Sequence, residues 1–109
     1  MGKASRDKGN RFERAFVHAC QDAGVGAERI PLSGAAGGSF CGDVSVPVQG
    51  VDRRIECKNR ATGFKQIYDW LGSNYALAVK RDRDNTLVVL RLSDFLALAK
   101  LPADTLGDA

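Results

Sequence analysis

Residues 43–58 carry the clearest signal of secondary structure and read Asp43-Val-Ser-Val-Pro-Val-Gln-Gly-Val-Asp-Arg-Arg-Ile-Glu-Cys-Lys58. Valine occupies every second position from Val44 to Val48, and a second alternating run extends from Val51 to Cys57. Alternation of this kind indicates a strand with one buried face. Gln49-Gly50 lies between the two runs and supplies the turn chemistry of a hairpin. The stretch therefore predicts two antiparallel strands.

The register of this hairpin follows from its turn. If the chain reverses on Gln49-Gly50, counting outward along both strands places Asp43 directly opposite Glu56. Their Cβ atoms would then lie about 5 Å apart on one face of the sheet. Lys58, two residues beyond Glu56, would project from the same face. A bulge in either strand would shift this register.

Two carboxylates that face each other repel and destabilise a sheet unless a cation lies between them. Mg²⁺ binds through one or two carboxylates and keeps several waters. Asp43 and Glu56 are therefore candidate ligands for Mg²⁺, with Mn²⁺ as a substitute, and the backbone carbonyl of Cys57 is a further candidate. Such a site suits phosphodiester hydrolysis, in which Lys58 would orient or deprotonate the attacking water. The alternative for Glu56 and Lys58 is a surface ion pair.

The segments before the hairpin read as a helix, a short strand and a loop. Apolar residues recur at helical spacing from Phe12 to Ala23, so a helix is expected to begin near Ser5 or Asp7 and to end at the glycines that follow. Residues 28–32 read as a short strand at an edge or an end. Residues 33–42 form a loop of small residues without the pattern of a nucleotide-binding P-loop.

The segments after the hairpin add two helices and two strands. The second helix, over residues 62–72, is expected to turn Phe64, Ile67, Tyr68 and Leu71 inward and to stop at Gly72. Strands over 75–80 and 86–92 follow, joined by a charged turn, and Ser93 is a candidate N-cap for a last helix over 94–101 that ends at Pro102. The predicted order is α-β-β-β-α-β-β-α in one α/β domain over residues 1–102, with a flexible tail over 103–109.

Composition narrows the class of protein. The chain has 109 residues, 44% of them hydrophobic, and a net charge of +3, which suits one compact domain. Its apolar runs are too short to cross a bilayer and no secretory leader precedes Arg6, so a cytoplasmic location without membrane attachment is expected. Three widely spaced cysteines and one histidine do not supply a structural zinc site, and reduced thiols are expected.

The basic residues are clustered along the sequence. Clusters of this kind suit a nucleic-acid backbone, and a solvated basic surface explains the same pattern. If DNA is the partner, we expect phosphate contacts from a set on the first helix and around the second: Arg6, Lys8, Arg11, Arg14, Arg60 and Lys65.

The site residues resemble a known nuclease signature. Asp43, followed by Ile-Glu-Cys-Lys-Asn-Arg over residues 55–60, resembles the PD-(D/E)xK motif, with Gly42-Asp43 in place of Pro-Asp. Lys8-Gly-Asn-Arg-Phe-Glu-Arg14 and Arg29-Ile-Pro-Leu-Ser-Gly34 are similar to segments of archaeal-type Holliday junction resolvases and their phage-encoded relatives. The similar parts extend over roughly residues 6–92.

This resemblance implies a restriction-endonuclease-like core, in which a central mixed β-sheet is flanked by helices. It also implies that Glu13 joins the metal site from the first helix, and that Ser33 and Gln66 act in catalysis. The alternatives are a local ion pair for Glu13, a turn residue at position 33 and a polar helix position at 66. The resolvases are homodimers in which each protomer cuts one strand of a four-way junction, so a phage-encoded dimer acting in a host cell is implied.

Three functional hypotheses follow. The first is a Mg²⁺-dependent, structure-selective DNA endonuclease of the Holliday junction resolvase kind. The second is a PD-(D/E)xK nuclease that acts on single-stranded, flap or nicked DNA. The third is a DNA-binding module without catalysis. A homodimer would favour the first. The sequence predicts a dimer because one apolar, aromatic-rich set exceeds what a short helix buries: Tyr68, Trp70, Leu71, Tyr75, Leu77 and Val79.

Overall fold

The computed structural model describes residues 2–30 and 43–103. The loop over 33–42 with Ser33, the tail beyond residue 103 and the side chain of Arg6 lie outside the described part. Within these residues, three helices and five strands follow one another as α1 (Gly2–Asp22), β1 (Glu28–Arg29), β2 (Asp43–Val48), β3 (Val51–Glu56), α2 (Lys65–Leu71), β4 (Ala76–Val79), β5 (Leu87–Leu90) and α3 (Leu92–Ala99). The predicted mixed α/β class and the predicted order of elements are confirmed.

The chain forms two compact units. The first comprises Met1–Asn59 together with Leu96–Ala109, and the second comprises Arg60–Phe95. The described strands pair into two antiparallel sheets, one ordered β1-β2-β3 and one formed by β4 and β5. The single nuclease domain over residues 1–102 stays a prediction. No helix in the described ranges is long and apolar enough to cross a membrane.

Helix α1 forms because its apolar residues recur at helical spacing. Val17 and Cys20 are buried, and the rings of Phe12 and Phe16 meet edge to face with centroids 6.4 Å apart. The helix ends in a Schellman motif, in which Gly24 takes a φ of +88° and the N–H of Val25 donates to the carbonyl of Cys20 at 2.9 Å. The predicted end at the glycines is therefore confirmed.

The predicted start of α1 was wrong by several residues, since the helix begins at Gly2. No residue between Gly2 and Asp7 is a proline, so nothing stops helical hydrogen bonding from extending toward the N-terminus. An ion pair between Lys3 and Asp7, with Nζ and Oδ2 3.5 Å apart, links successive turns there.

The hairpin of β2 and β3 has the predicted register. Val48 pairs with Val51 across the turn, and at the other end of the strands Asp43 pairs with Glu56. Gln49 has a φ of 52° and Gly50 a φ of 84°, the left-handed pair that a two-residue turn requires. Strand β1 pairs with β2, and the N–H of Ile30 donates to the carbonyl of Asp43 at 3.2 Å. The last two positions of the predicted strand, 31 and 32, lie outside the described residues.

The second unit contains α2 and the β4–β5 hairpin. Helix α2 begins at Lys65, later than predicted, because Gly63 has a φ of +100° that lies outside helical geometry. It stops at Gly72 as predicted. The prediction that Tyr68 turns inward was wrong, since 73% of this residue is exposed. The helix has seven residues and packs on β4; its Leu71 is buried, whereas Tyr68 lines an open cleft beside β5.

Helix α3 begins and ends two residues earlier than predicted, because its first residue is Leu92 and its last is Ala99. Ser93 lies in the first turn and is not the N-cap. The carbonyl of Arg91 accepts the N–H groups of Asp94 and Phe95 at 3.1 and 3.0 Å, so Arg91 holds the capping position. The helix stops before the residues that precede Pro102, because proline disfavours helical geometry in the residue before it.

Candidate active site

The two central carboxylates lie on one face of the β2–β3 hairpin. Asp43 and Glu56 are register partners, so their side chains leave the sheet on the same side. Val44 and Val46, the alternate residues of β2, point to the other side and are fully buried. Burial of those two valines fixes which face carries the carboxylates, because a shift by one residue would exchange the faces.

Lys58 lies beside Glu56, as the spacing predicted. Its Nζ is 3.1 Å from Oε2 of Glu56, and both side chains are more than 60% exposed. An ion pair this exposed contributes little to stability. The lysine is therefore accessible to a substrate phosphate and to the water around it.

Asp43 has a second neighbour, Arg54, which sequence reasoning did not identify as a site residue. Nε of Arg54 lies 3.3 Å from Oδ2 of Asp43. Arg54 pairs with Ser45 across the hairpin, which places it diagonally to Asp43 on the same face. The predicted register was sufficient to find Arg54. It pairs Asp43 with Glu56 and Ser45 with Arg54, so Arg54 lies two residues from Glu56 on the same face.

Glu13 is buried on α1, with 2% of the residue exposed. Its Oε1 accepts a hydrogen bond from Nε of Arg29 on β1 at 2.8 Å, and the same guanidinium donates from Nη2 to Oδ1 of Asn10 at 2.9 Å. A buried carboxylate requires such a partner, since an uncompensated charge is costly away from water. Sequence reasoning missed Arg29 as a partner because 16 positions separate the two residues.

The thiol of Cys57 is influenced by the charges of three carboxylates. Burial raises the pKa of its thiol, and the negative charges of Glu13, Asp43 and Glu56 raise it further, to about 11. All three carboxylates therefore lie within electrostatic range of one side chain.

The residues present fit a hard divalent cation. Over residues 2–30 and 43–103, no three His, Cys, Asp or Glu side chains are assembled closely enough to hold a metal. Mg²⁺ does not need three, because it binds through one or two carboxylates and keeps its waters. Asp43 and Glu56 supply two carboxylates directly across the strands. Metal ligation by Glu13, by this pair and by the carbonyl of Cys57 stays a prediction.

The remaining predicted site residues are spread over both compact units. On α1, Lys8 is half-buried, and Arg11 and Arg14 are exposed. In the second unit, Arg60, Lys65 and Gln66 are exposed, and Nζ of Lys65 donates to Oδ2 of Asp69 at 2.7 Å. Ser33 and the side chain of Arg6 belong to the undescribed part of the chain. Their roles in catalysis and in DNA binding stay predictions.

Comparison with known proteins identifies the family. The sequence model of the family described as "Phage putative PDDEXK endonuclease" matches residues 4–105. No curated protein and no solved structure shows significant similarity to the chain. The match covers almost the whole chain, including the facing carboxylates and Lys58, and it agrees with the resemblance to PD-(D/E)xK nucleases. The chain therefore belongs to the phage PD-(D/E)xK endonuclease family.

Proposed function

We propose that this nuclease is a Mg²⁺-dependent endonuclease that cleaves branched DNA, as a Holliday junction resolvase does. The observation that carries the proposal is the register of the hairpin, which sets Asp43 opposite Glu56 with Lys58 beside them. PD-(D/E)xK nucleases generally use divalent metals, and these residues have the chemistry that Mg²⁺ prefers.

Each residue of the site has a distinct task in this proposal. Asp43 and Glu56 would hold the cation from opposite strands, and Glu13 and the carbonyl of Cys57 would be further ligands. When bound, such a cation would supply charge neutralisation at the phosphate and activation of a water. Lys58, whose ammonium lies beside Glu56, would hold the attacking water by hydrogen bonding and contact the phosphate.

Resolving a four-way junction requires two cuts placed symmetrically, and a two-fold dimer would supply the second catalytic site. The second compact unit has apolar side chains available for this contact. Tyr68, Trp70 and Tyr75 are 73%, 56% and 59% exposed, and Leu87 and Val88 on β5 are more than 60% exposed. Aromatic residues are favoured in the cores of protein interfaces. A second copy of the chain is the partner we propose for this apolar surface.

Part of the set predicted to form the dimer packs within the unit itself. Leu71 is buried, and Leu77 and Val79 are half-buried. An open cleft of about 380 Å³ lies beside Tyr68, between α2 and β5, and its other lining residues include Phe64, Ile67 and Val89. The proposed contact therefore centres on the exposed aromatic residues and on this cleft.

The test is a cleavage assay on four DNA substrates of the same sequence: a four-way junction, a flap, a linear duplex and a single strand. We expect paired, symmetric cuts in the junction with Mg²⁺ or Mn²⁺ and none in excess EDTA. Asp43→Asn and Glu56→Gln are the inactive controls. Equal cutting of all four substrates, or a preference for flaps or single strands, would reject the junction-resolving function and favour the second hypothesis. Junction binding without any cutting would favour the non-catalytic module.

A further inference from the structure

Each carboxylate of the site is matched by its own basic residue. Glu13 is bound by Arg29, Glu56 by Lys58 and Asp43 by Arg54. The three pairs differ in how firmly they are held. The side chain of Glu13 is only 3% exposed, and its arginine also donates to Asn10. That pair is enclosed, and a buried charge depends strongly on such a partner.

The pair formed by Asp43 and Arg54 is of the opposite kind. The side chains of Asp43 and Arg54 are 39% and 68% exposed, so water screens the attraction between them. Exposed ion pairs contribute little to stability, and their partners exchange readily. A phosphate that takes the guanidinium must first displace the carboxylate, so the ion pair weakens phosphate binding by Arg54 without abolishing it.

We propose that Arg54 binds a phosphate of the DNA backbone, and that Asp43 holds it away from DNA until the negative charge of Asp43 is neutralised. The inference rests on the proposed function, because it takes DNA as the substrate and Asp43 as a ligand of the cation. Neutralising Asp43 removes the acceptor of Arg54. The free guanidinium then presents paired N–H donors to a phosphate, a geometry in which arginine binds strongly.

The position of Arg54 supports this role. It lies on the same strand and face as Glu56, two residues away, with its partner Ser45 across the hairpin. Two residues along a strand correspond to about 7 Å. A phosphate next to the one being cleaved is therefore within reach of a long side chain, since successive phosphates of one strand are separated by a similar distance.

Arg53 provides a matched control. It has the same charge, is exposed and is adjacent in sequence, but it pairs with Val46 and therefore leaves the sheet on the opposite side. Any effect that arises from net charge alone should appear at both arginines. An effect that depends on Asp43 should appear only at Arg54.

The test measures DNA affinity by fluorescence anisotropy in EDTA, so that neither metal binding nor cleavage enters the result. Arg54→Ala is made in the wild-type chain and in the Asp43→Asn chain, and Arg53→Ala is made in both. In the wild type, Arg54→Ala should change affinity less than twofold, because Asp43 already holds the side chain. In Asp43→Asn it should lower affinity by about fivefold and reduce the slope of log K against log salt by about one.

Arg53→Ala should have the same effect in both chains. The proposal is overturned if Arg54→Ala costs equal affinity in the two chains, or if Arg53→Ala shows the same dependence on Asp43. Circular dichroism of each variant checks that the exposed substitutions leave the fold intact. Because the assay contains no metal, failure of this inference is distinct from failure of the proposed cleavage function, which the junction assay tests.

Discussion

At the scale of single residues, the site combines two carboxylates of different environment. Asp43 is partly exposed on the open face of the hairpin, whereas Glu13 is enclosed and bound to Arg29. The same functional group therefore serves two purposes. The exposed carboxylate is open to solvent, whereas the enclosed one depends on partners such as Arg29 to offset the cost of burying its charge.

The first prediction separates the chemistry from DNA binding. Asp43→Asn and Glu56→Gln should each reduce the rate of cleavage by about 100-fold or more, because each substitution removes a proposed metal ligand. DNA affinity should stay equal or rise, because a negative charge near the phosphates is removed. Single-turnover cleavage and anisotropy binding measure the two effects.

Asp52→Asn is the control for this prediction. Asp52 lies on the same strand and face as Glu56 but four residues away, opposite Pro47. The substitution Asp52→Asn removes the same charge as Glu56→Gln, but about 13 Å along the strand from Glu56. A loss of cleavage as large in Asp52→Asn as in Glu56→Gln would contradict the assignment of the metal site.

The second prediction concerns the Cys57 thiol. Burial and the neighbouring carboxylates raise its pKa from 9.0 to about 11, so the folded protein favours the protonated thiol. The protonated thiol therefore contributes to the free energy of unfolding. This contribution is fully present below pH 9 and is lost as the pH rises toward 11. We expect a loss of about 1–2 kcal/mol over this range, less than the full shift implies because the thiol is only partly buried.

Urea unfolding from pH 8 to pH 11 without divalent metal measures this effect, and Cys57→Ala serves as the reference. Tyrosine and lysine ionisation affects both proteins alike. The free energy of unfolding should fall more steeply in the wild type than in Cys57→Ala. Parallel curves would mean that the environment of the thiol does not oppose its ionisation.

At the scale of secondary structure, the hairpin turn sets the geometry of the site. Gln49 and Gly50 both have a positive φ, and the N–H of Gln49 donates to the carbonyl of Ala99 at the end of α3, at 2.7 Å. The turn therefore fixes the strand register and also satisfies a carbonyl at the C-terminus of a helix.

The third prediction compares one substitution at two glycines. Gly50→Ala should lower the free energy of unfolding by about 1 kcal/mol, because an alanine is strained at a φ of +84° even though an added Cβ meets nothing within 4 Å. Gly9→Ala, inside α1 and also with open space around an added Cβ, should raise it by about 0.5–1 kcal/mol. Thermal or urea unfolding without DNA measures both, and effects of equal sign would contradict the turn geometry.

At the scale of the whole molecule, the fourth prediction concerns assembly. The protein should be a dimer at micromolar concentration in light scattering or sedimentation. Trp70→Ser should raise the dissociation constant of the dimer by about 10-fold or more, as removal of an aromatic interface residue typically does. Leu98→Ser is the control, because Leu98 is an exposed apolar residue, at 42%, in the first compact unit. A strict monomer in the wild type would remove the support for paired cuts.

Much of the hairpin and its site could be predicted from local sequence. The register depends on a two-residue period and on a turn that closes on neighbouring residues, so Asp43 and Glu56 could be paired without knowledge of the rest of the chain. The ends of α1 and α2 at Gly24 and Gly72 follow from the backbone freedom of glycine in the same local way.

Element boundaries that depend on weaker signals were predicted less well. The start of α1 was misplaced because the residues before it include strong helix formers, Lys3, Ala4 and Arg6, which extend the helix toward the N-terminus. Ser93 suggested a cap, but α3 begins earlier, at Leu92, with Arg91 in the capping position. Packing selects among such local alternatives, and Leu96 and Ala99 of α3 are buried.

Local sequence was enough to predict the hairpin, the pairing of its carboxylates, the position of Lys58 and the nuclease family. The pairing of Arg29 with Glu13, the burial of the Cys57 thiol and the exposure of Tyr68 could be seen only in the folded chain. The difference lies in the range of the interactions. Strand pairing through a tight turn is set by neighbours in sequence, whereas burial and charge compensation depend on which distant segments pack together.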